Sequence, residues 1–346
     1  MSAKAKTYQK KDFSSGQDVK WCAGCGDFAV LSQVQKTLAE IGRPPSEYAF
    51  VSGIGCSSRF PYYMGTYGYH TIHGRALAVA TGVKTHNPDL SVWVTMGDGD
   101  ALSIGGNHFI HTIRKNLNII CIAMDNRIYG LTKGQFSPTS AQGQVTKTSP
   151  SGKNSLPMDP VALALGAGVT FVARAVDRNP KRLNEILHKA YRHKGFSFVH
   201  VLQNCVIFND GCHNDLTDKD TRDETTLHLV DGEPMIFGKE RDKAIVLDGL
   251  NPKIVHVADV DPEQILKHDE KTQEPGLALL LASMRAGKFL SSKTTAKFPM
   301  PLGVLRDVEE ESYDEITDNQ VKKITKIKGP GNLEKLLNSG ETWMVN

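Results

Sequence analysis

The sequence predicts a doubly wound, mostly parallel α/β sheet, and three observations carry that expectation. Two apolar runs, Val92-Trp93-Val94-Thr95-Met96 and Ile119-Ile120-Cys121-Ile122-Ala123-Met124, are rich in β-branched residues. Such runs read as strands buried on both faces. Asn107 to Lys115 between them is helical in pattern, the crossover that two parallel strands need. Strand and helix patterns then alternate from Asp27 to Leu202, as a sheet wrapped on both sides requires.

The elements follow in chain order. Residues 1–20 read as a solvated arm. Asp27 is placed to cap a helix running to Glu40, with Phe28, Leu31, Val34, Leu38 and Ile41 on one face and Gly42 past its end. Tyr48 to Ser52 is a strand that runs into a Gly-rich turn, Gly53-Ile54-Gly55-Cys56-Ser57-Ser58-Arg59. A helix is expected from Ala76 to His86. Residues 133–157 are polar and carry no period; a loop of this length is uncommon and often functional. Asp159-Pro160 opens the next helix, Asp as cap and Pro at the first position. Val169 to Val176 is a strand, Pro180 to His193 a helix, and Phe196 to Leu202 a strand. Beyond Cys205 the pattern weakens. A hairpin is expected between Ala244 to Leu247 and Lys253 to Val257, and a helix from Gly276 to Lys288. The tail after Phe298 reads as a partner-wrapping or mobile extension. The predicted organisation is an arm (1–20), a ligand-binding domain (21–215) and a partner-contacting C-terminal extension (216–346).

A formal charge of +3 over 346 residues makes no case for nucleic acid. The Lys-rich start lacks the apolar core of a secretory signal. The apolar run Leu277 to Ala282 is far short of the roughly 20 residues that span a bilayer. A cytoplasmic protein is expected. Its six cysteines then point to metal, redox chemistry or burial, not to a disulfide framework.

The two central strands end in Gly97-Asp98-Gly99-Asp100 and Asp125-Asn126-Arg127-Ile128-Tyr129-Gly130-Leu131-Thr132. Open α/β sheets bind ligands at that edge. A hard cation such as Mg²⁺ takes oxygen ligands and keeps phosphate oxygens in its shell. Asp98 supplies a carboxylate, Asn126 a carboxamide oxygen, and a backbone carbonyl near Ile128 completes the protein's share. Gly97 and Gly99 let the backbone approach phosphates. Gly-Asp-Gly alone is a tight turn. Asn126, 28 positions on (126 minus 98) at the next strand end, turns it into a metal–diphosphate clamp.

This pairing resembles the thiamine diphosphate motif. The wider string, with Tyr129-Gly130-Leu131-Thr132-Lys133-Gly134-Gln135 and Ser137-Pro138-Thr139, resembles the β subunits of 2-oxoacid:ferredoxin oxidoreductases over residues 15 to 290. The resemblance implies a sheet of the diphosphate-domain type. It implies that Asp98, Asn126 and the Ile128 carbonyl bind Mg²⁺, and that Gly97, Gly99, Asp100, Gly130, Leu131 and Thr132 line the diphosphate. Asp125 stands where many thiamine enzymes have Asn; in this family Asp is usual.

Cys22 and Cys25 form a C-x-x-C pair ahead of a helix N-terminus, which favours thiolates. Cys56 lies in a strand-end turn and Cys205 follows another strand end. Four thiolates meeting at one sheet edge suit a [4Fe–4S] cluster or a structural zinc. The family arrangement matches the cluster. Cys205 is preferred over Cys212 by its strand-end position and by the family pattern, and Cys121 reads as core.

Three further residues are candidates for the chemistry. His73, by the resemblance, lies near the thiazolium and phosphates; otherwise it is a capping or core histidine. Arg59 meets a substrate carboxylate, stabilises a reduced cluster, or is a surface charge. Lys133, next to the phosphate-lining segment, is placed to pair with the distal carboxylate of a dicarboxylic 2-oxoacid, an interaction worth roughly 1.5–3 kcal/mol. That favours 2-oxoglutarate over pyruvate. His108 and His111, at helical spacing, read as a packed or solvated face.

The resemblance implies CoA-dependent oxidative decarboxylation, with electrons leaving through the cluster to ferredoxin. Only the diphosphate half of a thiamine site is legible. The activating Glu and pyrimidine half should come from an α subunit, in an (αβ)₂ assembly. The alternatives are a pyruvate or broad-range enzyme of the same family, a non-redox thiamine decarboxylase with structural zinc, and an electron-transfer subunit with a vestigial cofactor site.

Overall fold

The computed structural model describes residues 7–284, 298–341 and 343–345. The predicted alternation is found. Strands β1 (Tyr48–Ser52), β2 (Tyr67–His70), β3 (Ser91–Gly97), β4 (Ile119–Asp125), β5 (Phe171–Val176) and β6 (Ser197–Leu202) run parallel, in the order β2-β1-β3-β4-β6-β5. Helices α1 (Asp27–Ile41), α2 (Ala76–His86), α3 (Asp98–Leu102), α4 (Gly106–Arg114), α5 (Pro160–Gly166) and α6 (Pro180–Arg192) connect them.

Strand β4 shows why the apolar runs have no polar alternation. Ile119, Cys121 and Ala123 pack with α2, α4 and α5 on one face. Ile120, Ile122 and Met124 pack with α1 and α6 on the other. Both faces are covered, so every side chain before the terminal Asp125 is apolar. Burying one such side chain stabilises the fold by about 1.5–3 kcal/mol. Cys121 is core, as expected.

The helix ends follow capping chemistry. The Asp159 side chain accepts from the Val161 and Ala162 amides at 2.9 and 3.0 Å, with Pro160 at the first position of α5. Gly42 closes α1 in the left-handed conformation (φ 83°). Asp27 corrects the expectation: Gly26 is the cap, and Asp27 is the first helical residue, buried with both carboxylate oxygens lacking a hydrogen-bond partner among the described residues. Phe28 also departs from the predicted core face. It is 37% exposed and packs edge-on against Trp21.

Two terminal expectations change. The arm is not wholly solvated: Phe13 is buried, edge-on to Tyr48 with ring centroids 5.8 Å apart. The chain past residue 215 returns to the sheet. Strand β7 (Thr226–His228) precedes a small sheet of β8 (Ile236–Phe237), β9 (Lys243–Asp248) and β10 (Asn251–His256), in which β9 and β10 form the expected hairpin. Strand β11 (Met300–Asp307), within the supposed extension, then inserts between β5 and β7, antiparallel to β5. Pro301 and Gly303 masked it as a strand. The helix at Gly276–Ser283 is shorter than predicted, and residues 285–288 of that expectation lie outside the described residues.

From β11 the chain runs into the helix Tyr313–Lys328, capped by the Ser312 hydroxyl and pinned by Asp314, which accepts from the Asn118 amide at 3.0 Å. Among the described residues no helix is long and apolar enough to cross a membrane. Because β1, β3, β4 and β6 are parallel and adjacent, the loops that leave them meet at one sheet edge.

Candidate functional site

Two cavities open at that edge and share a wall. The first, about 100 Å³, is lined by all of Gly97–Asp100, by Asn126 and Ile128, by Gly130–Thr132, and by His73. Gly99 has no alternative residue: a Cβ there would lie 2.2 Å from the Tyr129 ring, whose hydroxyl donates to the Gly99 carbonyl at 3.2 Å. Asn126 Oδ1 accepts from the Ile128 amide at 3.1 Å, an Asx turn that requires the left-handed backbone of Arg127 (φ 57°). This turn holds the Asn126 side chain and the Ile128 backbone together at the cavity wall.

Asp98 is 2% exposed, and burial, then the neighbouring Asp125, push its carboxyl up to about 7. A cation at the cavity would reverse that shift. Asp125 is wholly buried too. Burial works to raise it, but a 2.9 Å hydrogen bond from His200 Nε2 and the pull of His200, His213 and Arg127 hold it below the usual carboxylate range. Asp100 Oδ1 gathers the loops after β1 and β2, accepting from the Ile54 and Gly74 amides and from His73 Nδ1 (2.5 Å). Its Oδ2 is buried without a hydrogen-bond partner among the described residues. Buried hard oxygen donors, a destabilised carboxylate and a glycine cradle fit Mg²⁺ and a diphosphate.

The second cavity, about 210 Å³, is lined by Cys22, Cys25, Cys56 and Cys205, with Lys20, Arg59 and Lys133 around it. Gly130 separates the cavities, and a Cβ there would lie 3.6 Å from Cys205 Sγ and 3.7 Å from Cys56 Sγ. The Trp21 indole fixes the C-x-x-C turn on the Cys56 loop by donating to the Cys56 carbonyl at 2.7 Å. Burial, then Asp27, push the Cys56 thiol up to about 11, and the same causes raise Cys25 further. An iron–sulfur core would supply the positive charge these sulfurs lack. Four thiols round one cavity suit an iron–sulfur cluster and equally a tetrahedral zinc. Cys212 does not line this cavity; its Sγ lies 3.6 Å from the Asn126 carbonyl.

The remaining candidates fall as follows. His73 lines the first cavity, anchored on Asp100. Arg59 lines the second and donates to the Tyr63 hydroxyl at 3.1 Å. Lys133 is exposed, has a left-handed backbone (φ 74°), and lines the cysteine cavity while its neighbour Thr132 lines the other. His108 and His111 lie on α4, outside both cavities.

Sequence reasoning missed the residues that stand behind Asp98 and Asp125. Thr139, from the Ser137-Pro138-Thr139 string, reaches both Asp98 and Asp125. Lys153 donates to the carbonyls of Pro138 (2.9 Å) and Ser140 (2.8 Å), clamping the long loop onto the site. His200 and Arg174 sit inside apolar strands. A polar residue in such a strand needs a buried partner, and that was the available signal.

A profile described as "Thiamine pyrophosphate enzyme, C-terminal TPP binding domain" matches residues 53–201. A Mycobacterium tuberculosis protein named "2-oxoglutarate oxidoreductase subunit KorB" is 44% identical over 338 residues, 97% of this chain and 88% of that one. An Aeropyrum pernix protein named "2-oxoacid:ferredoxin oxidoreductase 1, subunit beta" is 48% identical over 190 residues, 55% of this chain and 60% of that one. Among solved structures, the 2-oxoglutarate:ferredoxin oxidoreductase from Magnetococcus marinus, with 2-oxoglutarate, coenzyme A and succinyl-CoA bound, matches with a TM-score of 0.74 at 33% identity, covering 98% of both chains. The motif, the paired cavities and these likenesses agree: the chain belongs to the β subunits of the 2-oxoacid:ferredoxin oxidoreductases.

Proposed function

We propose that this chain is the thiamine- and cluster-binding subunit of a cytoplasmic enzyme that converts 2-oxoglutarate and CoA to succinyl-CoA and CO₂, passing electrons to ferredoxin. The observation that carries the reading is the shared wall: Cys56, Asn126, Gly130 and Leu131 line both cavities. Thiamine diphosphate with Mg²⁺ supplies the decarboxylation chemistry when bound, and a [4Fe–4S] cluster supplies one-electron steps.

This chain's residues hold and shield those groups. Asp98, Asn126 and the Ile128 carbonyl hold the metal. Gly97, Gly99 and Gly130 admit the diphosphate, and Leu131 and Thr132 flank it. His73, fixed on Asp100, presents its ring at the cavity wall. Cys22, Cys25, Cys56 and Cys205 hold the cluster, with the Arg59 charge beside Cys56. Lys133, on the cysteine cavity next to Thr132 of the first, selects the distal carboxylate of 2-oxoglutarate. The names and bound ligands of the M. tuberculosis and M. marinus proteins support this substrate.

The aminopyrimidine half and its activating Glu come from an α subunit, in an (αβ)₂ assembly. Exposed apolar side chains support a partner surface on this chain: Ile72, Tyr67 and Ile104 are 71%, 56% and 51% exposed.

The test is turnover with 2-oxoglutarate, pyruvate and a branched-chain 2-oxoacid, using CoA and viologen. The complex with α is expected to prefer 2-oxoglutarate, and this chain alone to be inactive. Turnover by the isolated chain, or equal kcat/KM for all three acids, overturns the proposal.

A further inference from the structure

Asp98 and Asp125 are two wholly buried carboxylates bridged by one hydroxyl. Thr139 Oγ1 lies 2.5 Å from Asp98 Oδ2 and 2.7 Å from Asp125 Oδ1. Neighbouring buried like charges repel strongly. The fold keeps the pair by compensating Asp125 from behind. Asp125 Oδ1 also accepts from the Arg127 amide at 3.1 Å, and Oδ2 accepts from His200 Nε2 at 2.9 Å. His200 Nδ1 accepts from Arg174 Nε at 3.5 Å, which leaves the Nε2 proton for Asp125. Arg174 Nη2 reaches Asp159 Oδ1 at 3.4 Å, and Asp159 caps α5. One buried chain thus runs from the metal cavity through β4, β6 and β5 to a helix cap.

We infer that Thr139, Asp125 and His200 are positioning residues that set the affinity for a divalent cation, with Thr139 also setting the choice of cation. Thr139 donates to Asp98 Oδ2 and holds the carboxylate against turning, so presenting both oxygens to a cation costs that hydrogen bond. Mg²⁺ demands a small, near-octahedral shell, whereas Ca²⁺ takes more oxygens and accepts a carboxylate through both. A carboxylate restrained in this way favours Mg²⁺. Asp125 adds a second negative charge behind the ligand without ligating. Hydrogen bonds from His200 to Oδ2 and from the Arg127 amide to Oδ1 hold it still. The clamp of Lys153 on the carbonyls either side of Thr139 holds the hydroxyl in place.

This rests on the thiamine–Mg²⁺ reading of the cavity. The test uses the purified complex with α, stripped of divalent cations by chelator. Mg²⁺ and Ca²⁺ are titrated with thiamine diphosphate by calorimetry, and Mn²⁺ binding is followed by its electron paramagnetic resonance spectrum. In Thr139→Val, Mg²⁺ affinity is expected to fall about 10- to 100-fold, the usual cost of losing a residue that orients a metal ligand. Ca²⁺ affinity falls less, because the freed carboxylate can turn to present both oxygens, and the Mn²⁺ spectrum broadens. Thr139→Ser restores the wild-type preference.

Asp125→Asn preserves shape and removes the second charge; it weakens both cations and leaves the preference intact. It keeps the inference testable should Thr139→Val fail to fold. A wild-type complex that binds no Mg²⁺ with thiamine diphosphate sinks the reading of the cavity itself. A wild type that binds, with an unchanged Mg²⁺-to-Ca²⁺ ratio in Thr139→Val or unchanged affinities in Asp125→Asn, overturns the positioning role alone.

Discussion

At the scale of single residues, the site stores an unfavourable charge that its ligand relieves. Without metal, burial favours a proton on Asp98, whose carboxyl is pushed up to about 7, and the Thr139 hydroxyl is then free to donate to Asp125. Metal binding must displace that proton. Affinity for Mg²⁺ is therefore full above pH 7 and is lost as pH falls through it. About tenfold weaker binding is expected at pH 6 than at pH 8, since each unit is a factor of ten once the carboxyl is protonated. Calorimetric titration at the two pH values checks this; equal affinities contradict it. The cysteines give a second prediction. Cys205→Ala should lose iron and the broad visible absorbance, because Cys205 lines the sulfur cavity. Cys212→Ala, whose thiol sits behind Asn126, should keep both. The opposite pattern would exchange their roles. The motif residues were legible because ligand chemistry constrains residue type at short spacing. Thr139 and His200 were not, because their partners lie 41 and 75 positions away and no local pattern encodes such contacts.

At the scale of elements, the same contrast decides which strands were visible. Strands β3 and β4 announce themselves by unbroken apolar runs, since helices cover both their faces. Strand β11 carries Pro301 and Gly303, which argue against a strand. Pro301 pairs with Leu227 of β7, and pairing with β5 begins only at Gly303, opposite Arg174. Its partner lies well over a hundred residues earlier. The tail divides accordingly. A chain ending after residue 299 loses β11 and, with it, the contacts of the Arg174 guanidinium to Met300 and Pro301. It is expected to be insoluble. A chain ending after Gly329 loses only Leu333–Leu337 and the exposed residues around it, and should melt within a few degrees of full length. Thermal melting and solubility of the two truncations check the division; a soluble shorter chain would show that β11 is dispensable.

At the scale of the whole molecule, the parallel sheet brings four loops to one edge, and the two cavities there share a wall thinned to Gly130. No residue of the thiamine motif is near the C-x-x-C pair in sequence, yet β1, β3, β4 and β6 lie side by side and make them neighbours. Sequence spacing predicted each half of this site; only the strand order joins the halves.

Strand β11 also governs how the chain must be made. During synthesis β5 emerges long before the residues that cover its open side, so Phe171–Val176, buried in the finished fold, waits as a bare apolar edge. Strand β11 can close that edge only after the whole stretch between the two strands has emerged. Sheets completed by such distant pairing fold slowly and expose aggregation-prone surface while they wait. Yield in a heterologous host should accordingly respond to chaperone supply and to slower expression more than to any change at the cofactor cavity.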